Sequence, residues 1–432
     1  MYKVVFFGTH PKQFNGYSKV TYELIHEFAK RKDIEFIMYG FQNFFNNPSH
    51  RVDLPSNVQI YDAFKVNKET NGFGIKEVTQ FVRTTKPDMC IIFNDANVIM
   101  RVMEELLKIP KDERTFKIVP YLDQVYLNQK KAFVKYINEN ADACILFTKY
   151  WENVFKSQGC TIPMFNLPHG FNSDHIVKIP KEKAREALGM SNDDFVILNL
   201  NRNQPRKRWD VCLKAFARVI EAIPNKPIKL FIGTDLKGSW DLIEILEREF
   251  VKCGMSAENV KKHVIILQNP RILTDEDVNI MYNACDIGIN TCDGEGFGLC
   301  NFDQAGLGVP QVVPDLGGFK EFFEDGVTAL MMEPIISLYN GSEIDGVGGE
   351  TLITSYKDYA DAILDYYRSP EMMAKHGDTA RKNIIENYTW KKISDKLVDI
   401  VTEIMGGKKV PPPSKEPLLP KGRLSNMIKM LG

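Results

Sequence analysis

The amino-acid sequence predicts an α/β protein composed of two doubly wound, Rossmann-like domains. Short apolar runs alternate with amphipathic helical stretches over most of the 432 residues. Continuous apolar strands that are separated by helices are typical of parallel sheets covered on both faces. The alternation occurs in two successive series, and a chain of this length can bury two cores. We therefore expect two parallel sheets rather than one.

The first half of the chain contains six apolar runs that are predicted to be strands. They occupy residues 3–8, 35–40, 88–94, 117–123, 143–148 and 164–169. Between the first two runs, residues 19–32 place Val20, Leu24, Ile25 and Phe28 at helical spacing. Because these four side chains share one face, the segment is predicted to be an amphipathic helix.

The second half of the chain repeats this pattern. Its predicted strands are residues 195–201, 228–233, 264–268, 286–291 and 311–315. The amphipathic stretch 210–223 predicts a helix after the first of these strands. The segment 338–354 is rich in glycine and is predicted to be a long loop.

The predicted domain boundary falls between residues 170 and 180. An amino-terminal domain would then occupy 1–172, and a carboxyl-terminal domain 173–385. A helix at 386–405 is expected to cross back to the first domain. Residues 406–432 are predicted to be a linker with a basic tail, because glycine and proline are frequent there.

Composition and charge exclude several classes of function. The net charge of −1 gives no basis for binding nucleic acid or an acidic membrane. No apolar run is long enough to span a membrane, and the first apolar stretch is too short for a signal peptide. The eight cysteines include no C-x-x-C pair, which predicts buried free thiols in a reducing compartment such as the cytoplasm. Cys285, Cys292 and Cys300 are spaced too widely for a zinc site and are interpreted as core residues. Since no D-x-D pattern stands at a predicted strand end either, no metal or other cofactor is expected.

The basic tail has two interpretations. Residues 408–429 carry six lysines and arginines against one acid, and Leu424, Met427, Ile428 and Leu431 follow helical spacing. An apolar face beside cations suits the surface of an anionic membrane, so residues 408–431 are a candidate for weak membrane contact. The same pattern also fits a disordered tail, or a short helix docked on the protein's own surface. So short a segment is marginal as an isolated helix.

A basic loop follows the first predicted strand of the second half. Ligands of open α/β sheets bind beyond the carboxyl ends of the strands, which is where this loop lies. Arg202 and Lys207 offer a planar fork and a point charge, a combination that suits a diphosphate. Without that position, the loop would be interpreted as a solvated basic segment.

The stretch CDGEGFGLCNF follows the predicted strand 286–291. Gly296 and Gly298 allow the backbone to approach a ligand, and a helix beginning near Leu299 would direct free N–H groups at an anion. Glu295 would be a poor phosphate ligand but a good acceptor for hydroxyl groups. Asp303, about one turn into the helix, could accept from a ribose, or it could equally be an acid on the helix surface.

These loops, together with the glycine pair in 316–321, resemble the GT-B glycosyltransferases, specifically the large retaining group called family 4. The family pattern is an acid, then Gly-Phe-Gly-Leu, a second acid eight positions after the first, and Gly-x-Pro. Here these residues are Glu295, Gly296, Phe297, Gly298, Leu299, Asp303, Gly308 and Pro310. The stretches 16–20, 93–97, 120–125, 201–208 and 273–286 are similar to glycosyltransferases encoded by large DNA viruses of algae, which would place the protein in a host cytoplasm.

The resemblance implies a role for each matching residue. Arg202 and Lys207 would hold the donor diphosphate. The acid and backbone of residues 295–299 would hold the transferred sugar. Leu273 and Asp275 would lie near the nucleobase. Asp303 departs from the family, whose second acid is usually Glu. The side chain that would contact the ribose is therefore one methylene shorter.

The loop at residues 8–20 follows the first predicted strand. It is too long and irregular for G-x-G-x-x-G, which argues against a dehydrogenase. The resemblance implies that Gly16 closes over the donor phosphates. A surface loop with Ser18 as the helix cap explains the same residues, and the two interpretations are compatible.

Asp123 ends the predicted strand 117–123 and is the candidate for contacting the acceptor or the transferred sugar. Asn94 and Asp95 are second candidates, although Asp95 is equally well explained as a helix cap. His169 is interpreted as a hinge or structural residue rather than a catalytic one.

The sequence therefore predicts a glycosyltransferase that moves a sugar from a nucleotide-sugar donor to a hydroxyl of a glycan, lipid or protein-linked acceptor. Two other functions share parts of the pattern. A sugar-nucleotide epimerase of the same architecture would need further acids and a histidine in the cleft. A non-catalytic sugar-nucleotide-binding protein would need only the donor site.

Overall fold

The computed structural model describes residues 1–44, 51–66, 71–267, 273–339 and 348–407. The tail at 408–431 that was considered for membrane contact therefore lies outside the described residues. In the part of the chain that is described, no helix is both long and apolar enough to cross a membrane.

The first domain is built around a seven-stranded parallel sheet. Its strands are β1 (Tyr2–Thr9), β2 (Ile34–Phe41), β3 (Gln59–Asp62), β4 (Met89–Asp95), β5 (Lys117–Asp123), β6 (Cys144–Leu146) and β7 (Met164–Asn166). They lie in the order β3-β2-β1-β4-β5-β6-β7. The helices of this domain are α1 (Gly16–Ala29), α2 (Ala63–Val66), α3 (Val78–Thr85), α4 (Ala96–Leu107), α5 (Lys131–Asn140) and α6 (Lys149–Ser157).

The second domain has a six-stranded parallel sheet. Its strands are β8 (Phe195–Asn199), β9 (Ile228–Ile232), β10 (Val264–Ile266), β11 (Ile287–Ile289), β12 (Gln311–Pro314) and β13 (Leu330–Met332). Their order is β10-β9-β8-β11-β12-β13. In both sheets the strand order therefore changes direction next to the first strand, β1 or β8, while all strands stay parallel. The remaining helices are α7 (Lys181–Leu188), α8 (Trp209–Ala222), α9 (Leu242–Lys252), α10 (Val260–His263), α11 (Asp275–Ala284), α12 (Leu299–Gly306), α13 (Tyr356–Arg368), α14 (Pro370–Asn387) and α15 (Trp390–Ile404).

The predicted fold class is confirmed, because each half of the chain forms a doubly wound parallel sheet. The eleven predicted strands all occur in the structure, with ends that differ by a few residues. The predictions missed β3 and β13. The sequence of β3, QIYD, has no buried position and forms no apolar run, whereas β13 is a short strand at the edge of its sheet.

The prediction of a long loop at 338–354 is wrong for its described residues. A two-stranded antiparallel ribbon forms there from β14 (Pro334–Tyr339) and β15 (Glu350–Thr354). The glycines that suggested a loop fall mainly between these strands. On its other side, β15 pairs with the first domain through a reciprocal backbone bond between Leu127 and Glu350.

Helix α1 begins earlier than predicted, at Gly16, and Ser18 does not cap it. The cap is Asn15, whose side chain accepts from the Ser18 backbone N–H at 2.8 Å. The Ser18 hydroxyl in turn accepts from the Asn15 backbone N–H at 3.1 Å, so the two residues form a capping box. The rigid start of α1 fixes the residues that face the second domain.

The chain passes between the domains at two adjacent points. The first crossing follows β7, and the second joins α14 to α15, which packs against α1 of the first domain. The Phe171 backbone N–H donates to the Tyr388 carbonyl at 2.6 Å and joins the two crossings. Arg31 on the first domain also forms an ion pair with Asp395 of α15.

One continuous apolar core runs through the domain interface. It includes Phe93 and Phe147 of the first domain and Phe297 and Phe302 of the second. Trp390 at the start of α15 belongs to the same cluster. Buried aromatic contacts of this size make the interface part of the folded core rather than a loose contact.

Gly170 lies at the first crossing, and its substitution tests this junction. A Cβ atom at position 170 would lie 2.6 Å from the indole ring of Trp390. We expect Gly170→Ala to destabilise the protein by about 1–3 kcal/mol, because either the ring or the connector must move. Thermal unfolding measures the effect, and an unchanged midpoint would contradict this packing.

Candidate functional site

The carboxyl ends of the two sheets face each other, and their loops form the domain interface. The glycine-rich loop 293–298 follows β11 and lies against residues that follow β5 in the first domain. Trp151 of α6 donates its indole N–H to the carbonyls of Glu295, at 3.2 Å, and Gly296, at 3.1 Å. A first-domain side chain therefore fixes the backbone of this loop.

The absence of side chains in this loop allows the close approach. A Cβ atom at position 296 would overlap Asp123 Oδ1, and one at 294 would lie 2.5 Å from the Val125 carbonyl. Gly298 has a φ of +94°, and an added Cβ there would overlap Phe319. Glycine is thus required both for contact between the domains and for the turn into α12.

The glycine pair after β12 has a similar role. The Gly318 backbone N–H donates to the Glu295 carbonyl at 3.0 Å. A Cβ atom at either 317 or 318 would overlap the backbone of residues 295–297. The pair is therefore more than a simple turn, because it permits two loops to pack backbone against backbone.

Glu295 is buried and ion-paired. Its Oε2 contacts the Lys207 ammonium, and its Oε1 accepts from Arg206 Nη1 at 3.3 Å. Burial alone would raise the pKa of the carboxyl, but Lys207 and Arg206 lower it to about 2. Glu295 is therefore charged at neutral pH and linked to the basic loop.

The structure separates the roles of the cations in the loop 201–208. Lys207 and Arg206 both bind Glu295, and Arg206 also donates to the Gly294 carbonyl at 3.0 Å. Arg202 is exposed to solvent. Sequence reasoning singled out Arg202 and Lys207 but missed Arg206. Its pKa is lowered by burial and raised, on balance, by Glu295 and Asp123.

Asp123 lies at the end of β5, opposite Gly296. Its Oδ2 accepts from the Tyr17 hydroxyl at 2.6 Å, whereas its Oδ1 is buried without a hydrogen-bond partner. Burial raises the pKa of this carboxyl, and the charge of Arg206 opposes that effect. The side-chain oxygen of neighbouring Gln124 is likewise buried and unpartnered. These oxygens are acceptors for which the described residues supply no donor.

Asp303 is buried and is not an acid on the helix surface. It lies one turn into α12, and its Oδ2 forms an ion pair with Lys19 of α1 across the domain interface. At the start of the same two helices, a Cβ atom on Gly16 would lie 3.0 Å from Leu299 Cδ1. The amino ends of α1 and α12 therefore meet, and the positive ends of both helix dipoles lie in this region.

Leu273 and Asp275 lie at the amino end of α11, next to 268–272, which the structure does not describe. Leu273 is partly buried. Asp275 forms a two-point ion pair with Arg51 of the first domain, with both distances 3.0 Å. Arg51 also donates to the Ser18 hydroxyl at 3.0 Å, so it connects α11 to the start of α1.

The second-rank candidates have structural partners. Asp95 caps α4 by accepting from the Val98 backbone N–H at 3.1 Å, and Asn94 accepts from the Asp95 N–H at 2.9 Å. His169 is buried among aromatic rings, with the ring of Phe297 4.6 Å away. Burial lowers the pKa of His169 to about 3, so this imidazole is neutral at physiological pH.

The cysteines and acids of the described residues do not form a metal centre. No group of three or more His, Cys, Asp or Glu side chains there is arranged to hold a metal ion. The eight cysteines are free thiols, and most of them are buried.

Comparisons with known proteins find a family model that covers the second-domain loops described above, and individual relatives of the chain. Residues 180–337, which contain the basic and glycine-rich loops, match the family model of group 1 glycosyl transferases. A D-inositol 3-phosphate glycosyltransferase of Rhodococcus erythropolis is 26% identical over 226 residues, 51% of this chain and 43% of that protein. A GDP-mannose-dependent alpha-(1-6)-phosphatidylinositol monomannoside mannosyltransferase of Mycolicibacterium smegmatis is 23% identical over 62% of this chain and 63% of its own length. The chain thus spans about half the length of these curated relatives.

Solved structures match over nearly the whole chain. HepE from Anabaena, in complex with UDP and glucose, has a TM-score of 0.68 and 16% identity, covering 93% of this chain and 100% of that one. Sucrose-phosphate synthase from Thermosynechococcus elongatus has a TM-score of 0.71 and 15% identity, covering 94% and 100%. Residues 180–337 thus resemble the group 1 glycosyl transferases, and the whole described chain has the GT-B fold of two Rossmann-like domains facing a cleft.

Proposed function

We propose that this protein is a glycosyltransferase that transfers a sugar from a nucleotide-sugar donor to a hydroxyl acceptor. The observation that carries the proposal is the meeting of the amino ends of α1 and α12 beside a cluster of acids and cations. Helix amino ends and cations favour a diphosphate, whereas carboxylates favour sugar hydroxyls. A nucleotide-sugar carries both groups in one molecule.

Buried acceptor oxygens support the sugar part of this proposal. Asp123 Oδ1 and the side-chain oxygen of Gln124 have no hydrogen-bond partner among the described residues. A buried acceptor without a donor is unfavourable by about 1–3 kcal/mol. The hydroxyls of a sugar that enters when the domains separate would supply the missing donors.

The basic loop supports the diphosphate part. Lys207 and Arg206 already neutralise Glu295, which leaves Arg202 as the exposed cation of this loop. As the bond between sugar and diphosphate breaks, negative charge develops on the leaving group. Preorganised cations and helix amino ends would stabilise that charge.

The first domain would act on the acceptor side of the reaction. Asp123 faces Gly296 across the interface, so it would contact either the transferred sugar or the acceptor hydroxyl. Closure of the domains over the donor would exclude water, which otherwise competes with the acceptor and hydrolyses the donor.

Three finer assignments have separate grounds: retention rests on the resemblance of residues 295–303 to family 4, the metal-free reaction on the lack of a D-x-D pattern at a predicted strand end, and the location on the free cysteines. We propose retention of the anomeric configuration, a reaction without a metal or other cofactor, and a cytoplasmic location. The curated relatives have different donors and acceptors in their names, including GDP-mannose and D-inositol 3-phosphate. The proposal therefore extends to a nucleotide-sugar and a glycan, lipid or other hydroxyl acceptor, without naming the base or sugar.

The burial of His169 weighs against the epimerase alternative. An epimerase would need a histidine that exchanges protons in the cleft, but this imidazole is enclosed by aromatic rings and neutral. A non-catalytic binding protein would keep the donor site without turnover. An epimerase converts the donor without an acceptor and a binding protein leaves it unchanged, whereas a transferase consumes it only with an acceptor.

The proposed function is tested by following the donor with and without an acceptor. Thermal-shift screening against UDP-, GDP- and other nucleotide-sugars identifies the donor, since a bound ligand stabilises the native state. A transferase then releases nucleoside diphosphate in proportion to the acceptor added. Conversion of the donor alone would indicate an epimerase, and binding without any turnover would indicate a binding protein.

Substitution of Glu295 tests the acid of the glycine-rich loop. Glu295→Gln keeps the shape of the side chain but loses charge-assisted acceptance from sugar hydroxyls. We expect turnover to fall by about 100-fold or more, equivalent to a few kcal/mol of transition-state stabilisation. Glu244→Gln, an exposed acid of α9 paired with Arg248, is the matched control. Normal turnover in a folded Glu295→Gln variant would remove this residue from the site.

Substitution of Arg202 tests the diphosphate contact. Because Arg202 does not bind Glu295, Arg202→Ala removes a cation without exposing that buried acid. We expect affinity for the nucleoside diphosphate to fall by roughly tenfold or more, with little change for the nucleoside. Arg218→Ala on α8, which removes an exposed arginine, serves as the control. Equal losses for both ligands in calorimetry would contradict the assignment.

A further inference from the structure

Lys19 connects the two domains at the start of their facing helices. It lies one turn into α1, and its ammonium group forms an ion pair with Asp303 Oδ2 on α12. The Asp303 side chain is only 4% exposed and that of Lys19 19%, so the pair is largely enclosed. No sequence motif singled out Lys19.

The surroundings of Lys19 keep it charged. Burial alone would lower the pKa of the ammonium, but Asp303 raises it above the ordinary value, with smaller contributions from Asp275 and Glu23. A lysine among three acids acts as a permanent cation at neutral pH. It therefore compensates the charge of Asp303 in the closed interface.

In the Lys19–Asp303 pair, only one of the two carboxylate oxygens has a partner among the described residues. Asp303 Oδ2 contacts Lys19, whereas Oδ1 is buried and has no hydrogen-bond partner. A second ion pair between the domains differs in this respect. Arg51 donates from Nε and Nη2 to the two oxygens of Asp275, at 3.0 Å each. The Arg51 pair has both oxygens engaged, but the Lys19 pair keeps one acceptor available.

We propose that Lys19 is a positioning residue for the ribose of the donor. It holds Asp303 by one oxygen, so that the other accepts a ribose hydroxyl once the donor lies between the domains. The inference rests on the proposed function. It gives Lys19 of the first domain a role in donor binding, which it performs through Asp303 of the second domain. It also links recognition of the ribose to domain closure, because the ion pair exists only when α1 and α12 are close together.

The experiment measures discrimination between ribose and deoxyribose. UDP, GDP and ADP are first compared by calorimetry with the full chain, and the tightest-binding diphosphate is chosen. Its affinity is then compared with those of its 2′-deoxy and 3′-deoxy counterparts. The variants are Lys19→Met, which keeps the length of the side chain without its charge, and Lys30→Met as control. Lys30 lies at the end of the same helix, with its side chain 68% exposed.

We expect the wild type and Lys30→Met to prefer the ribose form over at least one deoxy form by about tenfold or more. Lys19→Met should lose most of this preference, and Asp303→Asn should lose it to the same degree. Combining Lys19→Met with Asp303→Asn should cause little further loss, because both changes act on one interaction. If Lys19→Met does not fold, Lys19→Gln is subject to the same comparison.

Full discrimination in the folded Lys19 variant would overturn the inference but leave the proposed function intact. A general loss of affinity with unchanged discrimination would also overturn it, because that is the behaviour of a residue that only stabilises closure. If the wild type binds no nucleoside diphosphate, the proposed function fails, and the inference fails with it.

Discussion

The close contact between the glycine-rich loop and the first domain is the constraint on which the rest of the structure depends. The backbone of residues 294–298 lies against Asp123 on one side and Gly317–Gly318 on the other, where a Cβ atom would not fit. The indole of Trp151 fixes the same backbone by hydrogen bonds. In this arrangement of the domains, the contact fixes the direction of α12 and the location of Glu295.

This tight packing encloses several charges, and the structure compensates each of them locally. Glu295 is neutralised within its own domain by Lys207 and Arg206, whereas Asp303 is neutralised from the other domain by Lys19. An isolated buried carboxylate would be protonated or would destabilise the fold. The two acids therefore differ in how they depend on the interface: the partners of Glu295 belong to its own domain, whereas the partner of Asp303 belongs to the other domain.

The sequence predicted the parts of this arrangement that depend on local pattern. Apolar runs revealed the strands of both sheets except β3 and β13, and the spacing from Glu295 to Asp303 marked the loop and the helix that follows. Contacts between the domains left no comparable signal. Lys19 and Asp303 are 284 positions apart, and nothing near either residue indicates the other. Arg206 was missed because it is one of several cations in a short loop, and only its orientation in the fold distinguishes it from its neighbours. The ribbon of β14 and β15 was missed because glycine content obscured two short strands.

The paired chain crossings limit how the two domains can move. Two covalent connections lie side by side, joined by the hydrogen bond from Phe171 to Tyr388, and both are on the same edge of the interface. A single connection would allow the domains to twist and swing in any direction. Two adjacent connections form a hinge, which restricts the relative motion of the two domains to rotation about one axis. Each opening and closing should therefore return α1 and α12 to the same alignment, so that the precision of the site is a property of the hinge as well as of the loops.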